Sequence, residues 1–239
     1  MLSPEVPVLL DDGPLVVMSK PGGLLTQAPP DIDSLEARVR EWFGEAQGTG
    51  GKRPFVGVPH RLDRPASGAI AMTRTPKAAR RMADQFELRE VDKTYWAIVS
   101  GHVEPAVGEW SDFMRKVPQE ARSEVVSDEH PDAQYAMLKY RVLASDTEFS
   151  WLEIRLETGR THQIRLQCGS RGFPILGDSQ YGSAAEFGPV VTDPRDRWIA
   201  LHARRLAFLH PTEKRRVVVE APVFSWWSSW CERFPGVAT

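Results

Sequence analysis

Pro59-His60-Arg61-Leu62-Asp63-Arg64-Pro65-Ala66-Ser67-Gly68 is a charged, turn-forming stretch set between two apolar runs, Phe55-Val56-Gly57-Val58 and Ala69-Ile70-Ala71-Met72. It places one carboxylate, Asp63, between two guanidinium groups, Arg61 and Arg64. Its end, through Pro65, Ser67 and Gly68, favours turns over regular ladders. Flanking strands would put Asp63 at the mouth of a sheet, where loops carried on a rigid scaffold commonly do chemistry. Taken alone the cluster reads first as a salt-bridged surface turn, because most exposed Arg-Asp groups are solvated and weakly coupled. The rest of the chain reverses that order.

The 239 residues, 41% hydrophobic and 26% charged, suffice for one large domain or two small ones with an ordinary core. A formal net charge of -2 gives no global basic signal, so a nucleic-acid partner has to be held by a local patch. The two cysteines, Cys168 and Cys231, are far apart and fit a reducing compartment better than a disulfide-built fold. Met1 to Glu5 shows no basic run leading into an apolar core, and no apolar stretch approaches the roughly 20 residues that span a bilayer. The expectation is a soluble, cytoplasmic protein, acting as a monomer and away from membranes.

Outward from the Asp63 loop, Leu15 to Ser19 reads as a strand closed by Lys20-Pro21-Gly22-Gly23. Asp33 with Glu36 resembles a capping box for a helix carrying Leu35, Val39, Trp42 and Phe43 on one face. Gly44 to Pro54 reads as a polar connection without the ending a P-loop needs. Lys52 and Arg53 within it read equally as a polyanion contact or as linker residues. Ala69 to Arg74 is a strand. Thr75-Pro76 then caps a helix to about Glu90 with a stripe of Ala79, Met82, Ala83 and Phe86. Arg74, Lys77, Arg80 and Arg81 give that helix a basic start, which taken alone reads as a solvated face.

Lys93 to Val99 is a strand with Tyr95, Ala97 and Val99 on one face, placing Tyr95 to pack or to stack. Gly101 to Pro131 carries a weak pattern and reads as irregular hairpin connections. Strand character returns at Tyr135 to Leu143, and Leu152, Ile154 and Leu156 mark Trp151 to Thr158 as a strand buried on one side. Gly159-Arg160-Thr161-His162-Gln163-Ile164-Arg165 then turns into a helix with Thr161 as its cap, and His162 and Arg165 become neighbours on one face. Cations beside a helix N-terminus sit against the dipole, so Arg165 calls for an anionic partner, either Asp63 or an RNA phosphate. Ser183 to Arg197 reads as a surface excursion. Leu201 to Phe208 resumes core pattern with Arg204 and Arg205, and Val217-Val218-Val219 is a last strand. A final helix from about 223 to 234 carries Trp226, Trp227, Trp230 and Phe234 as core.

The six histidines show no metal-ligand spacing with cysteines or carboxylates, and neither a Gly-x-Gly-x-x-Gly turn nor a Gly-x-Ser-x-Gly elbow is present. No metal and no cofactor is therefore expected. No repeat of 20 to 50 residues is evident, and no linker divides the chain, so a single mixed α/β catalytic domain is expected over 1–239.

The ordered set His60-Arg61-Leu62-Asp63 with Ser67-Gly68, Lys93-x-Tyr95, Gly159-Arg160-Thr161-His162-Gln163-Ile164-Arg165 and Gly177-Asp178-x-x-Tyr181-Gly182 resembles the RluA-type RNA pseudouridine synthases. Lys20-Pro21, Leu201-His202-Ala203 and His210-Pro211 match as well, so the resemblance runs from about Leu15 to about Pro222. It implies an α+β pseudouridine synthase fold: a mixed, mainly antiparallel central sheet with flanking helices and a central cleft. It also implies isomerisation of uridine in ribosomal or transfer RNA without cofactor or metal. By position it makes Asp63 the essential aspartate, Tyr95 the cleft tyrosine and Arg165 the motif arginine. Arg61 becomes the arginine that helps displace the base, and Leu201 the apolar lining of the base pocket. His60, Arg160, His162 and Gln163 join the substrate-binding set. Arg165 beside Asp63 would keep the carboxylate ionised, since a nearby opposite charge typically lowers an acid's pKa by about 1 to 3 units.

Pro65-Ala66 and Leu138 depart from the family pattern at positions where a hydroxyl residue is common, and neither carries chemistry. No S4-like RNA-binding module precedes Leu15, so the catalytic domain itself is expected to hold the RNA, through Arg74, Lys77, Arg80, Arg204 and Arg205 on phosphates. Two other readings stand beside this one. A catalytically idle RNA-binding relative or RNA chaperone is disfavoured by the intact Asp, Tyr and Arg set. A glycosidase normally needs two acidic groups where this chain offers one.

Overall fold

The computed structural model describes residues 6–47 and 53–237. Of the polar connection expected at Gly44 to Pro54, residues 48–52 lie outside the described residues, and its first part is helical instead, because α1 runs on to Gln47. Among the described residues, ten strands and four α-helices make an α+β fold, with β1 Val8–Asp12, β2 Leu15–Lys20, α1 Leu35–Gln47, β3 Ser67–Thr73 and α2 Pro76–Glu87 in its first part. There follow β4 Asp92–Ser100, β5 Val107–Lys116, β6 Ser123–Val126, β7 Gln134–Ser145, β8 Phe149–Leu156, α3 Gln163–Gly169, β9 Leu201–Leu209, β10 Arg216–Glu220 and α4 Ser228–Arg233. Among the described residues no helix is long and apolar enough to cross a membrane.

The chain divides into two compact units. The first comprises Met1–Lys93, Val191–Asp196 and Ala203–Val223, with strands in the order β1-β2-β3-β9-β10. The pairs β1/β2, β2/β3 and β9/β10 are antiparallel. β2 and β3 are buried along their whole length, and their inward side chains meet Met82 of α2, Phe208 of β9 and Val217 of β10 in one core cluster. The expectation of a strand at Ala69 to Arg74 is met, but its start lies earlier, at Ser67. Gly68 there has φ +115°, and a Cβ on it would sit 2.4 Å from the Ala203 carbonyl oxygen. The glycine after the Asp63 loop thus lets β3 approach the backbone of β9.

Two helix readings shift. α1 is capped by Ser34, whose hydroxyl accepts from the Ala37 N–H at 3.2 Å, while Asp33 is drawn instead to Arg38. α2 is capped by Thr75 as expected, yet its buried residues are Ala78, Met82 and Gln85, while Ala83 is exposed. The burial of Gln85 displaces the stripe. Its amide donates to the Leu209 carbonyl at 2.9 Å and accepts from the Leu209 N–H at 2.8 Å, so a polar residue occupies an inward position fully bonded.

The second unit comprises Thr94–Val190, Arg197–His202 and Phe224–Thr239, with antiparallel strands in the order β4-β8-β7-β5-β6. The stretch read as irregular connections contains β5 and β6. Only Trp110 and Met114 of β5 are buried, four residues apart, so the alternation that marks a strand is absent from its sequence. Tyr95, Ala97 and Val99 of β4 pair with Ile154, Leu152 and Ser150 of β8, as the shared face requires. On the C-terminal segment Trp227 is fully buried against Trp151 at 5.4 Å, whereas Trp226 is 45% exposed. A 3-10 turn at Ser225–Trp227 precedes the six-residue α4, and this break in the helical spacing splits the tryptophan stripe.

Candidate active site

In the first unit the Asp63 loop is fastened at nearly every residue. The His60 ring accepts the Ala71 N–H on Nε2 at 2.9 Å and stacks on Phe86 of α2 with ring centres 4.2 Å apart. Leu62 is buried, and its backbone is bonded twice to the Thr26 hydroxyl, which donates to the Leu62 carbonyl at 2.9 Å and accepts the Leu62 N–H at 3.2 Å. Arg64 donates from Nε to the Gly23 carbonyl at 2.8 Å and pairs with Asp196 at 2.5 Å. The Ala66 N–H closes the turn on the Asp63 carbonyl at 3.1 Å. Asp63 itself is half-buried between these fixed points.

Lys20, fully buried at the end of β2, points its ammonium at three backbone carbonyls: Pro21 and Leu24 at 2.8 Å and Arg64 at 3.1 Å. Three acceptors use all three N–H bonds of the charged form. Burial pulls the ammonium down to about 7 from its ordinary value, while the nearby Asp63 carboxylate supports the charge and Arg64 opposes it. A buried cation therefore lies close enough to Asp63 for the two charges to act on each other. The sequence marks Lys20 only through its family motif. Thr26 and Asp196 carry no signal at all, and Asp196 lies in the segment read as a surface excursion.

Two of the expected residues of this unit have partners of their own. Arg64 bonds with its fork to Asp196 and Gly23. His60, expected to bind substrate, accepts the Ala71 N–H of β3 on Nε2 and stacks its ring on Phe86 of α2. Burial, with a contribution from the Lys93 charge, pushes its protonation down to about 3. Arg61 is exposed.

The basic residues expected on phosphates divide. Arg74 forms a two-pronged pair with Asp11 at 2.6 and 2.9 Å and lies over the Phe43 ring at 4.5 Å, so it braces α1 against the β1–β2 turn. Arg204 pairs with Glu220 at 3.0 Å and donates to the Ala221 carbonyl, and Arg205 approaches the same carboxylate at 4.0 Å. Lys77 and Arg80 are exposed on α2.

In the second unit, Tyr95 is buried on β4 and Leu201 is buried at the start of β9. Arg165, 4% exposed, forms a bidentate pair with the equally buried Asp178, Nε to Oδ2 at 2.7 Å and Nη2 to Oδ1 at 2.8 Å. Gln180 accepts a further bond from Arg165 at 2.9 Å, and the guanidinium carbon lies 5.0 Å above the Tyr181 ring. The carboxylate supplied to Arg165 inside this unit is thus Asp178, a partner the sequence reading did not name although both motifs were in view. Gly177, with φ +83° and a would-be Cβ 2.3 Å from the Trp198 carbonyl oxygen, allows the turn that presents Asp178.

The helix cap differs from expectation too. His162, not Thr161, is the residue before α3, in a left-handed conformation with φ 55°. Its Nδ1 lies 3.0 Å from the Tyr181 hydroxyl, which also accepts the Ser123 N–H at 2.8 Å. The two sequence motifs therefore interlock through Tyr181. Gln163, expected on the substrate, is buried with its amide engaged internally. Its oxygen accepts from the Thr158 hydroxyl and the Arg160 N–H, and its nitrogen donates to the Met137 carbonyl and Gln167. It is a strut between β7 and α3. Arg160 is half-buried and donates from Nε to the Tyr135 carbonyl at 3.0 Å. Among the described residues no group of three His, Cys, Asp or Glu side chains converges as a metal set would.

Comparison with known proteins adds an independent line. Residues 14–170 match the family model described as RNA pseudouridylate synthase. The chain is 32% identical to the ribosomal large subunit pseudouridine synthase D of Zymomonas mobilis, over 90% of this chain and 68% of that protein. It is also 32% identical to the tRNA pseudouridine synthase C of Vibrio vulnificus, over 97% of this chain and 96% of that protein. An uncharacterized RNA pseudouridine synthase of Synechocystis is 30% identical, and this chain spans 65% of its length. The chain thus spans about two thirds of some relatives and nearly all of another. The solved structure of human RNA pseudouridylate synthase domain containing 4 shares the fold, with a TM-score of 0.77 at 22% identity, covering 95% of this chain and 92% of that one.

Proposed function

The chain belongs to the RNA pseudouridylate synthase family, and from that premise we propose that it isomerises uridine to pseudouridine in ribosomal or transfer RNA, with Asp63 as the reacting carboxylate. The observation that carries the reading is the anchored Asp63 loop, where Lys20, Thr26 and the His60 ring hold the backbone on either side of one half-buried acid. A reacting group has to be held within a fraction of an ångström, and rigid support of this kind supplies that.

The reaction is balanced within the substrate. The C1'–N1 bond breaks, the uracil turns, a C1'–C5 bond forms, and C5 gives up its proton while N1 gains one. The base has to leave its stack before any of this can happen. An ionised Asp63 serves by attack at C1', by attack at C6, or by removing a sugar proton, and each route starts from the carboxylate. Tyr95 offers a ring for the uracil face and a phenol near the closing proton transfer. Arg165 offers a charge whose orientation is fixed by Asp178 and Gln180. Arg61 and Leu201 are assigned to base displacement and base lining by their place in the family motifs. With Gln163 and the His60 ring engaged internally, substrate contact falls to Arg61, Arg160, His162 and Leu201.

Relatives named for ribosomal and for transfer RNA match with the same 32% identity. The test is therefore run on both. Transcripts carrying tritium at uridine C5 are incubated with the protein, and the released label is followed together with the position of the pseudouridine formed. Release from one class, at a defined uridine, is expected. Binding without release would favour an idle RNA-binding relative, and free uracil would point to glycoside cleavage.

A further inference from the structure

Tyr181 closes the 3-10 turn Ser179–Tyr181, and the proposed mechanism gives it no task. Its backbone is seated directly on α3: a Cβ on Gly169, the last residue of that helix, would lie 2.5 Å from the Tyr181 carbonyl oxygen. Its N–H donates to the Asp178 carbonyl at 3.1 Å. The side chain, half-buried, packs against the cluster of Met114, Ala136 and Leu166.

From this seat one side chain meets two motif residues with two different parts. The hydroxyl lies 3.0 Å from Nδ1 of His162, the two rings standing edge to face with centres 5.8 Å apart. The ring itself lies 5.0 Å from the guanidinium carbon of Arg165. A phenol oxygen has one donor and two acceptor sites, so it can accept the Ser123 N–H at 2.8 Å and still serve His162. Ser123 is pinned in turn, because its hydroxyl donates to the Thr161 carbonyl at 2.8 Å. Gln180, beside Tyr181, accepts from Arg165 and donates to the Ala121 carbonyl at 3.0 Å, which ties the same turn between β5 and β6 to the guanidinium. The Tyr181 oxygen is therefore fixed by backbone on both of its sides.

His162 has need of such a hold. Its φ of 55° is uncommon for a residue with a Cβ, and strain of that kind persists where the surroundings over-determine it. Arg165 has a different need. Its bonds to Asp178 and Gln180 lie at the edge of the planar guanidinium and settle its direction, but a plane held by its edge can still tilt. An aromatic ring within cation–π distance closes one face.

We propose that Tyr181 is a positioning residue for the isomerisation, aiming the His162 ring with its hydroxyl and levelling the Arg165 guanidinium with its ring. This inference rests on the reading of the protein as an RNA uridine isomerase that uses both residues. The two actions belong to separate atoms of one side chain, so they can be removed separately, which a residue that only filled the core would not allow.

Tyr181→Phe keeps the ring and removes the hydroxyl, and Tyr181→Leu removes both. KM and kcat for tritium release are measured on a transcript that the wild type modifies, well below the melting temperature of each variant. With His162 assigned to substrate contact, Tyr181→Phe should raise KM by about twofold to tenfold, the worth of one hydrogen bond, and leave kcat near wild type. Tyr181→Leu should also lower kcat, by up to about thirtyfold for a desolvated cation–π contact. The KM effect of Tyr181→Phe should vanish in a His162→Asn background, where asparagine tolerates the left-handed backbone and no imidazole is left to aim. Wild-type KM in Tyr181→Phe, or a KM rise that persists beside His162→Asn, would overturn the positioning role alone. Should Tyr181→Leu fail to fold, the comparison of Tyr181→Phe with and without His162→Asn decides. A wild type that releases no tritium from any RNA would overturn the functional reading instead, so the two failures are distinct.

Discussion

Lys20 donates from Nζ to the Arg64 carbonyl at 3.1 Å, tying the end of β2 to the residue that follows Asp63. The same ammonium holds the Pro21 and Leu24 carbonyls, so Lys20→Met would leave three backbone acceptors without their donor. An unsatisfied buried polar group costs about 1 to 3 kcal/mol. Urea unfolding is expected to show a loss of at least about 2 kcal/mol, and the maximal rate should fall as the loop loosens. The pH dependence has a definite sign. The folded ammonium titrates near 7 and the unfolded one near 10.5, so between those values the unfolded chain binds more protons. Stability contributed by this residue therefore rises with pH from about 7 towards 10.5, and the rise should be missing in Lys20→Met. Parallel pH profiles for the two proteins would contradict the assignment.

His60 gives a second, acid-side signature. Its Nε2 accepts the Ala71 N–H, which protonation would break, and its folded value lies near 3 against 6.5 for the free group. A histidine held neutral contributes stability that is lost as pH falls through that window, by at most about 1.4 kcal/mol per pH unit. Denaturant midpoints measured from pH 6.5 down to 4 should decline more steeply for wild type than for His60→Gln. Equal slopes would mean the ring is not held neutral.

Asp178 is expected to matter as much as the arginine it holds. Removing one partner of a buried pair typically costs about 3 to 5 kcal/mol, because the remaining charge stays buried. Asp178→Asn should lower the melting temperature and also the maximal rate of tritium release, since the Arg165 fork loses its counter-charge and one of its two acceptors, with an NH2 donor facing it instead. Wild-type stability in Asp178→Asn would show that the pair carries little.

How much of this was legible beforehand follows from where each signal resides. The strand faces of β4 and β8 and the Thr75 cap are local patterns that the chain spells out, whereas the mainly antiparallel α+β fold was implied by the family resemblance. β5 and β6 were missed because only two of the ten β5 side chains are buried, so hydrophobic alternation never develops. The motif order pointed to Asp63, Tyr95 and Arg165 through family resemblance rather than through any spacing rule. Pairings between distant residues were not readable: Arg64 with Asp196, Leu62 with Thr26 and Arg74 with Asp11 are set by tertiary contact. Gln163 and His60 have internal partners, the Met137 carbonyl and the Ala71 N–H, that their place in a functional motif does not announce.

The most direct measurement is release of C5 tritium from a uridine-labelled ribosomal or transfer RNA by Asp63→Asn, set beside its binding of the same RNA. Asparagine keeps the shape of the side chain and removes its charge. The account predicts near-wild-type binding with release abolished. Release at the wild-type rate from Asp63→Asn would contradict it outright.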